Sequence, residues 1–151
     1  MEKREDQITI DAQGRWWYEG SEIIHPEVLA LFRSSLRETE DGAFEIDYRG
    51  RQAPVVVEKT PFFIREIKAV EESGKLLAIT LMLDDGSDEE LIPESLRLDE
   101  DGVLMTKVKK GLFSARCLPK AHFRLAALLD EDENGFFLSL GGRIFRLPAG
   151  A

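Results

Sequence analysis

The sequence predicts an α+β protein whose two halves are diverged copies of one helix-plus-hairpin unit. Short alternating apolar segments separated by glycine turns predict antiparallel strands, and only two stretches carry a helical pattern. The two predicted helices begin at Pro26 and Pro119, which are 93 residues apart, and Gly42 and Gly135 show the same separation. A constant offset indicates an internal duplication. The alternative is two similar units without common origin.

The chain opens with a predicted hairpin followed by a helix. Residues 7–20 (QITIDAQGRWWYEG) alternate, turn near Gly14 and continue as an aromatic strand. Proline suits the first turn of a helix, and apolar residues after Pro26 fall on one helical face. We expect this helix to end near Glu38.

Antiparallel strands follow the first helix. Residues 41–58 (DGAFEIDYRGRQAPVVVE) have the pattern of a hairpin, and residues 62–70 and 75–83 form two more strand-like segments. The predicted N-terminal lobe therefore covers residues 1–70, and the C-terminal lobe covers residues 71–151.

The C-terminal lobe repeats the same kinds of element. A short strand is expected from Leu91, then strands in VLMTKV and GLFSARCL, a helix from Pro119 and a last hairpin from FFLSL and RIFRL. Acid-rich turns ending in glycine recur before strands, and we interpret them as solvated turns.

Composition limits the classes of function. The net charge of -9 and pI near 4.8 disfavour nucleic acid and anionic membranes as partners. No apolar run approaches the ~20 residues of a membrane span, and the charged start, MEKREDQ, is unlike a signal peptide. With Cys117 as its single cysteine, the chain is expected in the cytoplasm.

A basic segment interrupts this acidic chain. No Asp or Glu occurs between Gly102 and Leu129, whereas the cations there are Lys107, Lys109, Lys110, Arg116, Lys120 and Arg124. Lys107 and Lys109 are predicted to share a strand face, and Arg143 lies in the last hairpin. We expect Arg116, Lys107, Lys109 and Arg143 to bind a phosphate or carboxylate group. The alternative is that these cations pair with the acidic turns.

Three aromatic residues are candidates for the apolar wall of a ligand site. Trp16 and Trp17 are adjacent on a predicted strand and so point to opposite faces. One of them, together with Phe62, is expected to contact the ligand. Packing in the core or at an interface is the alternative.

No catalytic, metal or cofactor site is predicted. His25 and His122 lack supporting ligands, and the segment DEDENG begins like a calcium loop but has Gly141 where a bidentate Glu is needed. Cys117 has no sequence signature of a neighbouring base. Known nucleophile, phosphate-loop and zinc motifs are missing from the sequence.

Several segments resemble a bacterial family, the domain of unknown function 1285. They are GRWWYEGSEIIHPEVLALF, DGAFEI, VVVEKTPFF, VKKGLFSARCL and LSLGGRIFRL. The resemblance implies a two-lobed fold with a duplicated core, a C-terminal half distantly like a pleckstrin-homology barrel, a nucleotide-like ligand between the lobes and a role in signal transduction. This chain has Lys59 where the family tends to have an acid.

We therefore predict a non-enzymatic module that binds a small anionic, nucleotide-like ligand at the interface between its two lobes, with a role in signal transduction. The alternative is a protein–protein interaction module without a small ligand. A nucleotide hydrolase ranks last, because the sequence carries neither a metal motif nor a nucleophile motif.

Overall fold

A computed structural model describes residues 7–148. The chain divides into two compact units with the boundary between Pro61 and Phe62. The boundary predicted after residue 70 falls instead inside a long strand, Phe62–Glu72. Pro61 was the signal that the sequence offered for this boundary, because proline commonly interrupts secondary structure.

The first unit is a six-stranded sheet with one helix. Its sheet order is β3-β2-β1-β6-β5-β4, and every neighbouring pair is antiparallel except β1 with β6. The parallel ladder continues past the strands, since the N–H of Glu58 donates to the carbonyl of Ile10 at 3.0 Å. The elements are β1 (Ile8–Ile10), β2 (Trp16–Tyr18), β3 (Ser21–Glu22), α1 (Pro26–Ser35), β4 (Leu36–Glu38), β5 (Phe44–Tyr48) and β6 (Arg51–Val57).

The second unit contains a six-stranded sheet, a helix and a three-stranded sheet. Its first sheet has the order β10-β11-β12-β7-β8-β9, with β12 parallel to β7, and its second has the order β13-β14-β15. The elements are β7 (Phe62–Glu72), β8 (Lys75–Leu83), β9 (Asp88–Glu90), a 3₁₀ turn (Pro93–Ser95), β10 (Arg97–Leu98), β11 (Leu104–Val108), β12 (Phe113–Cys117), α2 (Pro119–Ala126), β13 (Asp130–Asp132), β14 (Gly135–Leu140) and β15 (Arg143–Arg146).

The α+β class and the duplicated arrangement are confirmed. The repeated unit is a six-stranded sheet, and not the helix-plus-hairpin unit that the sequence predicted. Strands β7–β12 reproduce the order of β1–β6, and in each sheet the first and last strands form the parallel pair. The N–H of Leu118 donates to the carbonyl of Ile64, as Glu58 does to Ile10. In this repeat the 3₁₀ turn after Ile92, and not α2, occupies the place of α1.

Two element boundaries differ from the sequence prediction. Helix α1 ends at Ser35 and not near Glu38, because Leu36 turns into an extended conformation and pairs with Ile46 in the sheet. Both of these side chains are buried, so sheet pairing outweighs the helical pattern. Leu91 lies between β9 and the 3₁₀ turn and not in a strand, although its N–H donates to Ile79.

Three of the acid-rich turns, which end at Gly42, Gly86 and Gly102, share one hydrogen-bond pattern. At the β10–β11 turn, the N–H of Asp99 donates to the carbonyl of Val103 at 2.8 Å, and the N–H of Gly102 donates back to Asp99 at 3.0 Å. The side chain of Asp99 accepts the N–H groups of Asp101 and Val103. Equivalent backbone bonds close the turns that end at Gly42 and Gly86. The interpretation of these segments as turn chemistry is confirmed.

Helix α2 packs on the sheet of the second unit. It contacts β7, β11 and β12 and buries Ala121 and Leu125, which are four residues apart on one helical face. Burying a leucine side chain contributes roughly 1.5–3 kcal/mol, so Leu125 anchors the helix. Among the described residues, neither helix combines the length and apolarity needed to cross a membrane.

Candidate functional site

A cleft in the second unit has a volume of about 470 Å³. This volume falls within the range of small-molecule sites. Three parts of the fold form the cleft: the β7–β8 turn, the end of α2 with the start of β13, and the β14–β15 turn. Its lining residues are Glu71, Gly74, Lys75, Leu76, Ala127, Leu128, Asp130, Ser139, Gly142, Arg143 and Ile144. We call it the β14–β15 cleft.

A backbone contact holds one wall of the β14–β15 cleft. The N–H of Gly141 donates to the carbonyl of Leu76 at 2.9 Å, which fixes the β14–β15 turn beside β8. Gly141 and Gly142 both have positive φ, at 60° and 79°, the combination that a two-residue hairpin turn requires. A side chain at Gly142 would strain this turn although it would meet no neighbour within 4 Å. The glycines therefore fix the position of the neighbouring Arg143.

The β14–β15 cleft combines opposite charges with apolar surface. Lys75 and Arg143 provide the cations, and Glu71 and Asp130 provide the carboxylates. The Arg143 guanidinium carbon lies 5.0 Å from the centre of the Phe145 ring, a cation–π contact that supports an otherwise exposed side chain. Leu76, Leu128 and Ile144 supply apolar surface. The cleft can therefore take a ligand with an anionic group and several hydrogen-bond donors.

A second region surrounds helix α2 and is more apolar. Two clefts of about 200 and 220 Å³ meet at His122. The Nδ1 atom of His122 accepts the N–H of Leu104 at 3.1 Å, so the ring is held in place by the sheet. Phe123 is 71% exposed beside the smaller cleft.

The fold was compared with known proteins. Neither a model of a protein family nor a curated protein matches the chain. Among solved structures, a DUF1285 family protein from Silicibacter pomeroyi DSS-3 aligns with 93% of this chain and 78% of its own, at a TM-score of 0.76 and 23% identity. A second, from Shewanella baltica OS155, aligns over 80% of this chain and 90% of its own, at a TM-score of 0.62 and 19% identity. The chain has the DUF1285 fold. The resemblance stated from the sequence is confirmed at the level of the fold.

Within the DUF1285 fold, Arg143 is the predicted ligand residue that lines the β14–β15 cleft. Lys107, Lys109, Arg116 and Phe62 belong to the same unit but lie outside that cleft. Trp16 and Trp17 belong to the first unit. The sequence did not identify Lys75, although its place directly after the Ser73–Gly74 turn was a usable signal.

Arg116 forms ion pairs with the acidic β10–β11 turn. Its Nε is 2.6 Å from Asp99 Oδ2, and its Nη2 is 3.0 Å from Asp101 Oδ2. Burial raises the pKa of Asp99, but hydrogen bonds from the N–H of Val103 and from Arg116 outweigh it and leave that pKa below its usual value. Arg116 also lines the smaller cleft beside α2.

The two predicted lysines occupy different settings. Lys107 lies on β11 opposite Ser114, and cross-strand pairing puts its side chain on the same sheet face as Arg116. Lys109 lies past the end of β11 with a φ of 55°, so the expected shared strand face does not extend to it. Its Nζ binds Asp85 Oδ2 at 2.6 Å and Ser87 Oγ at 2.9 Å, and it lies 5.2 Å from the Phe62 ring centre.

The aromatic candidates are packing residues in this fold. Trp16 is 1% exposed and packs on Phe32, with ring centres 6.2 Å apart, whereas Trp17 is half-buried and donates its Nε1 hydrogen to Asp11. The two indoles are adjacent on β2, and strand geometry points them to opposite faces of the sheet. Phe62 is buried against Phe113 at 5.3 Å between ring centres.

Cys117 and the acids of the DEDENG segment are part of the packing and ion pairing of the fold. Burial raises the pKa of the Cys117 thiol to about 12, which leaves it protonated at neutral pH. The DEDENG segment forms β13 and the turn to β14, and Asp132 pairs with Arg146 at 2.6 Å. Across residues 7–148, three or more His, Cys, Asp or Glu side chains do not cluster in a way that would hold a metal ion.

Proposed function

We propose that this protein is a non-enzymatic binding module whose second unit holds a small, anionic, nucleotide-like ligand in the β14–β15 cleft. The observation that carries the proposal is that Lys75 and Arg143 line the same cleft in an acidic protein. Two cations in one concave site favour a phosphate or carboxylate group, which Arg143 binds through its planar donors.

The other lining residues favour a nucleotide-like ligand over a simple anion. Carboxylates at Glu71 and Asp130 accept hydrogen bonds from sugar hydroxyls or exocyclic amines, and they would repel a bare polyanion. Leu76, Leu128 and Ile144 offer apolar surface for a base. A mononucleotide carries all three kinds of group: an anionic end, hydroxyls and a flat ring.

The environments of Cys117 and His122 support a role in binding and not in catalysis. The Cys117 thiol is buried and stays protonated, and the His122 Nδ1 already accepts a backbone N–H. A signalling role follows if ligand occupancy is read by another protein. The resemblance found in the sequence implies a distantly pleckstrin-homology-like second unit for such a role, and in this unit a mixed sheet is followed by helix α2 and by strands β13–β15.

Calorimetric titration with mononucleotides, cyclic nucleotides, dinucleotides and inorganic phosphate tests the proposal. We expect one nucleotide class to bind, and we expect the double variant Lys75→Glu, Arg143→Glu to lose at least about tenfold in affinity, as the loss of a charge-assisted hydrogen bond predicts. Lys68→Glu is the matched control, because Lys68 is an exposed cation on β7 outside the cleft.

Two results would contradict the proposal. Affinity that is equal in the double variant and in Lys68→Glu would remove the β14–β15 cleft as the site. Conversion of a bound nucleotide during incubation with Mg²⁺ would show that the protein is an enzyme and not a binding module.

A further inference from the structure

Helix α2 and the strands beside it form two largely apolar clefts that share His122. The smaller cleft is lined by Val103, Pro119 and Phe123, and the larger one by Leu98, Leu129 and Phe136, with His122 in both. Phe123, Phe136 and Leu98 are 71%, 42% and 36% exposed. We call this region the α2 surface. Exposed large apolar groups that share one region mark interaction sites more often than scattered ones do.

The α2 surface rests on rigid parts of the fold. Leu125 and Ala121 fix the helix in the core, and the hydrogen bond from Leu104 N–H holds the His122 ring between the two clefts. Phe136 lies on β14, which is paired on both sides. A preformed surface of this kind loses little conformational entropy when a partner binds.

Acidic residues border the α2 surface, and its own cations are already paired: Arg116 with Asp99 and Asp101, and Lys120 and Arg124 with Glu66. In the register of β13 with β14, Glu131 lies directly opposite Phe136, which puts both side chains on one face. Leu98 is followed at once by the acidic β10–β11 turn. In the β10–β11 turn and in residues 130–133, Arg116 pairs with Asp99 and Asp101, and Arg146 pairs with Asp132. The seven acids of these two segments are Asp99, Glu100, Asp101, Asp130, Glu131, Asp132 and Glu133.

We propose that the α2 surface docks a segment of a partner protein in which a bulky apolar side chain is flanked by Lys or Arg. The apolar side chain enters the clefts beside Phe123 and Phe136, and the flanking cations face Glu131 and the β10–β11 turn. Charge complementarity decides the class of partner, since the acidic border repels an acidic segment and attracts a basic one. The two clefts of this surface have lining residues different from those of the β14–β15 cleft, although Asp130 of the acidic border also lines that cleft, and the proposal does not depend on the function proposed above.

Selection from a random dodecapeptide library displayed on phage tests the proposal. We expect the wild-type protein to enrich peptides with Phe, Leu or Trp next to Lys or Arg, and Phe123→Ser to lose that enrichment. Leu112→Ser is the matched control, because Leu112 is 68% exposed in the β11–β12 turn of the same unit and lines neither cleft. Phe123 is exposed, so its replacement is expected to leave the fold intact, as circular dichroism will check.

The selected peptides then allow the charge argument to be measured. In fluorescence anisotropy, we expect Glu131→Lys to lower the affinity for a selected peptide by at least about threefold, and higher salt to lower that affinity further. Peptides without basic residues, or equal binding by Phe123→Ser and Leu112→Ser, would overturn the proposal. A wild-type dimer that Phe123→Ser converts to a monomer in light scattering would also overturn it, because the occupant would then be a second copy of this chain.

Discussion

The carboxylate of Asp11 accepts a hydrogen bond from the indole Nε1 of Trp17 at 2.9 Å. The same side chain accepts the N–H groups of Gln13 and Arg15 and the Nε of Arg15. Burial raises the pKa of Asp11, but these hydrogen bonds outweigh it and leave the pKa below its usual value. An ionised, buried carboxylate therefore holds the β1–β2 hairpin together.

Replacement of Asp11 by Ala is expected to lower the free energy of unfolding by about 1–3 kcal/mol, because the Trp17 indole and two backbone N–H groups lose their acceptor. Urea denaturation followed by tryptophan fluorescence measures the change. Gln13→Ala is the control, since Gln13 lies in the same turn and its side chain accepts only a long bond from Arg15 at 3.4 Å. Equal stability of the two variants would show that the Asp11 network contributes nothing.

Acid is expected to destabilise the protein through several carboxylates at once. Burial raises the pKa of Asp85, but hydrogen bonds from Lys109 and Ser87 outweigh it and leave the pKa below the usual 3.8. The pKa values of Asp11 and Asp99 are lowered in the same way. A carboxyl with a lower pKa in the folded state stabilises the fold above its unfolded pKa, and this contribution is lost as the pH falls through the folded pKa.

The free energy of unfolding is therefore expected to be flat near neutral pH and to fall as the pH drops below about 4. Denaturant titrations at a series of pH values give this profile. Asp85→Asn is expected to be less stable at neutral pH and to lose less on acidification. A profile for Asp85→Asn that runs parallel to the wild type would exclude Asp85 from the acid effect.

Arg116 is expected to be more important for stability than its place in a basic segment suggests. Its side chain is 15% exposed and binds both Asp99 and Asp101, so Arg116→Met removes the cation that pairs with the largely buried Asp99 carboxylate. We expect a loss of about 1–3 kcal/mol in the free energy of unfolding, measured in urea. The control is Arg37→Met, whose ion pair with Glu45 is more exposed and is expected to contribute less than about 1 kcal/mol.

The sequence predicted most of the strands because local patterns determine them. The alternating apolar residues Phe44 and Ile46 predicted a strand, and they lie in β5. The end of α1 was wrong because Leu36 is drawn into a sheet by Ile46, a contact that no helical pattern reports. The repeat was likewise misassigned to the helices, since the parallel pairing that defines it joins strands distant in sequence.

The candidate site was only partly predictable for the same reason. Arg143 was identified from its charge, but the β14–β15 cleft joins residues near 75 with residues near 128 and 143, and only tertiary packing brings these segments together. Charge alone also grouped Arg116 and Lys109 as ligand residues. The sequence could not reveal that Arg116 forms an ion pair with Asp99 and that Lys109 forms one with Asp85.

Cys117 is expected to be unreactive in the folded protein. Burial raises the pKa of its thiol to about 12, so almost none of the nucleophilic thiolate is present at pH 8. We expect a thiol reagent such as dithionitrobenzoate to react with the native protein about two to three orders of magnitude more slowly than with the protein in urea. A native rate close to the urea rate would mean that the β12 end opens readily and that Cys117 is accessible.

The same thiol predicts a loss of stability in alkali. A thiol with a raised pKa in the folded state stabilises the fold fully below its unfolded pKa, near 9, and this contribution is lost as the pH rises toward 12. Unfolding in urea between pH 8 and 10 should therefore show the wild type losing stability relative to Cys117→Ala. That variant is less stable at pH 7 because it leaves a small cavity, but it has no thiol to ionise. Parallel profiles for the two proteins would show that Cys117 titrates alike in the folded and unfolded states.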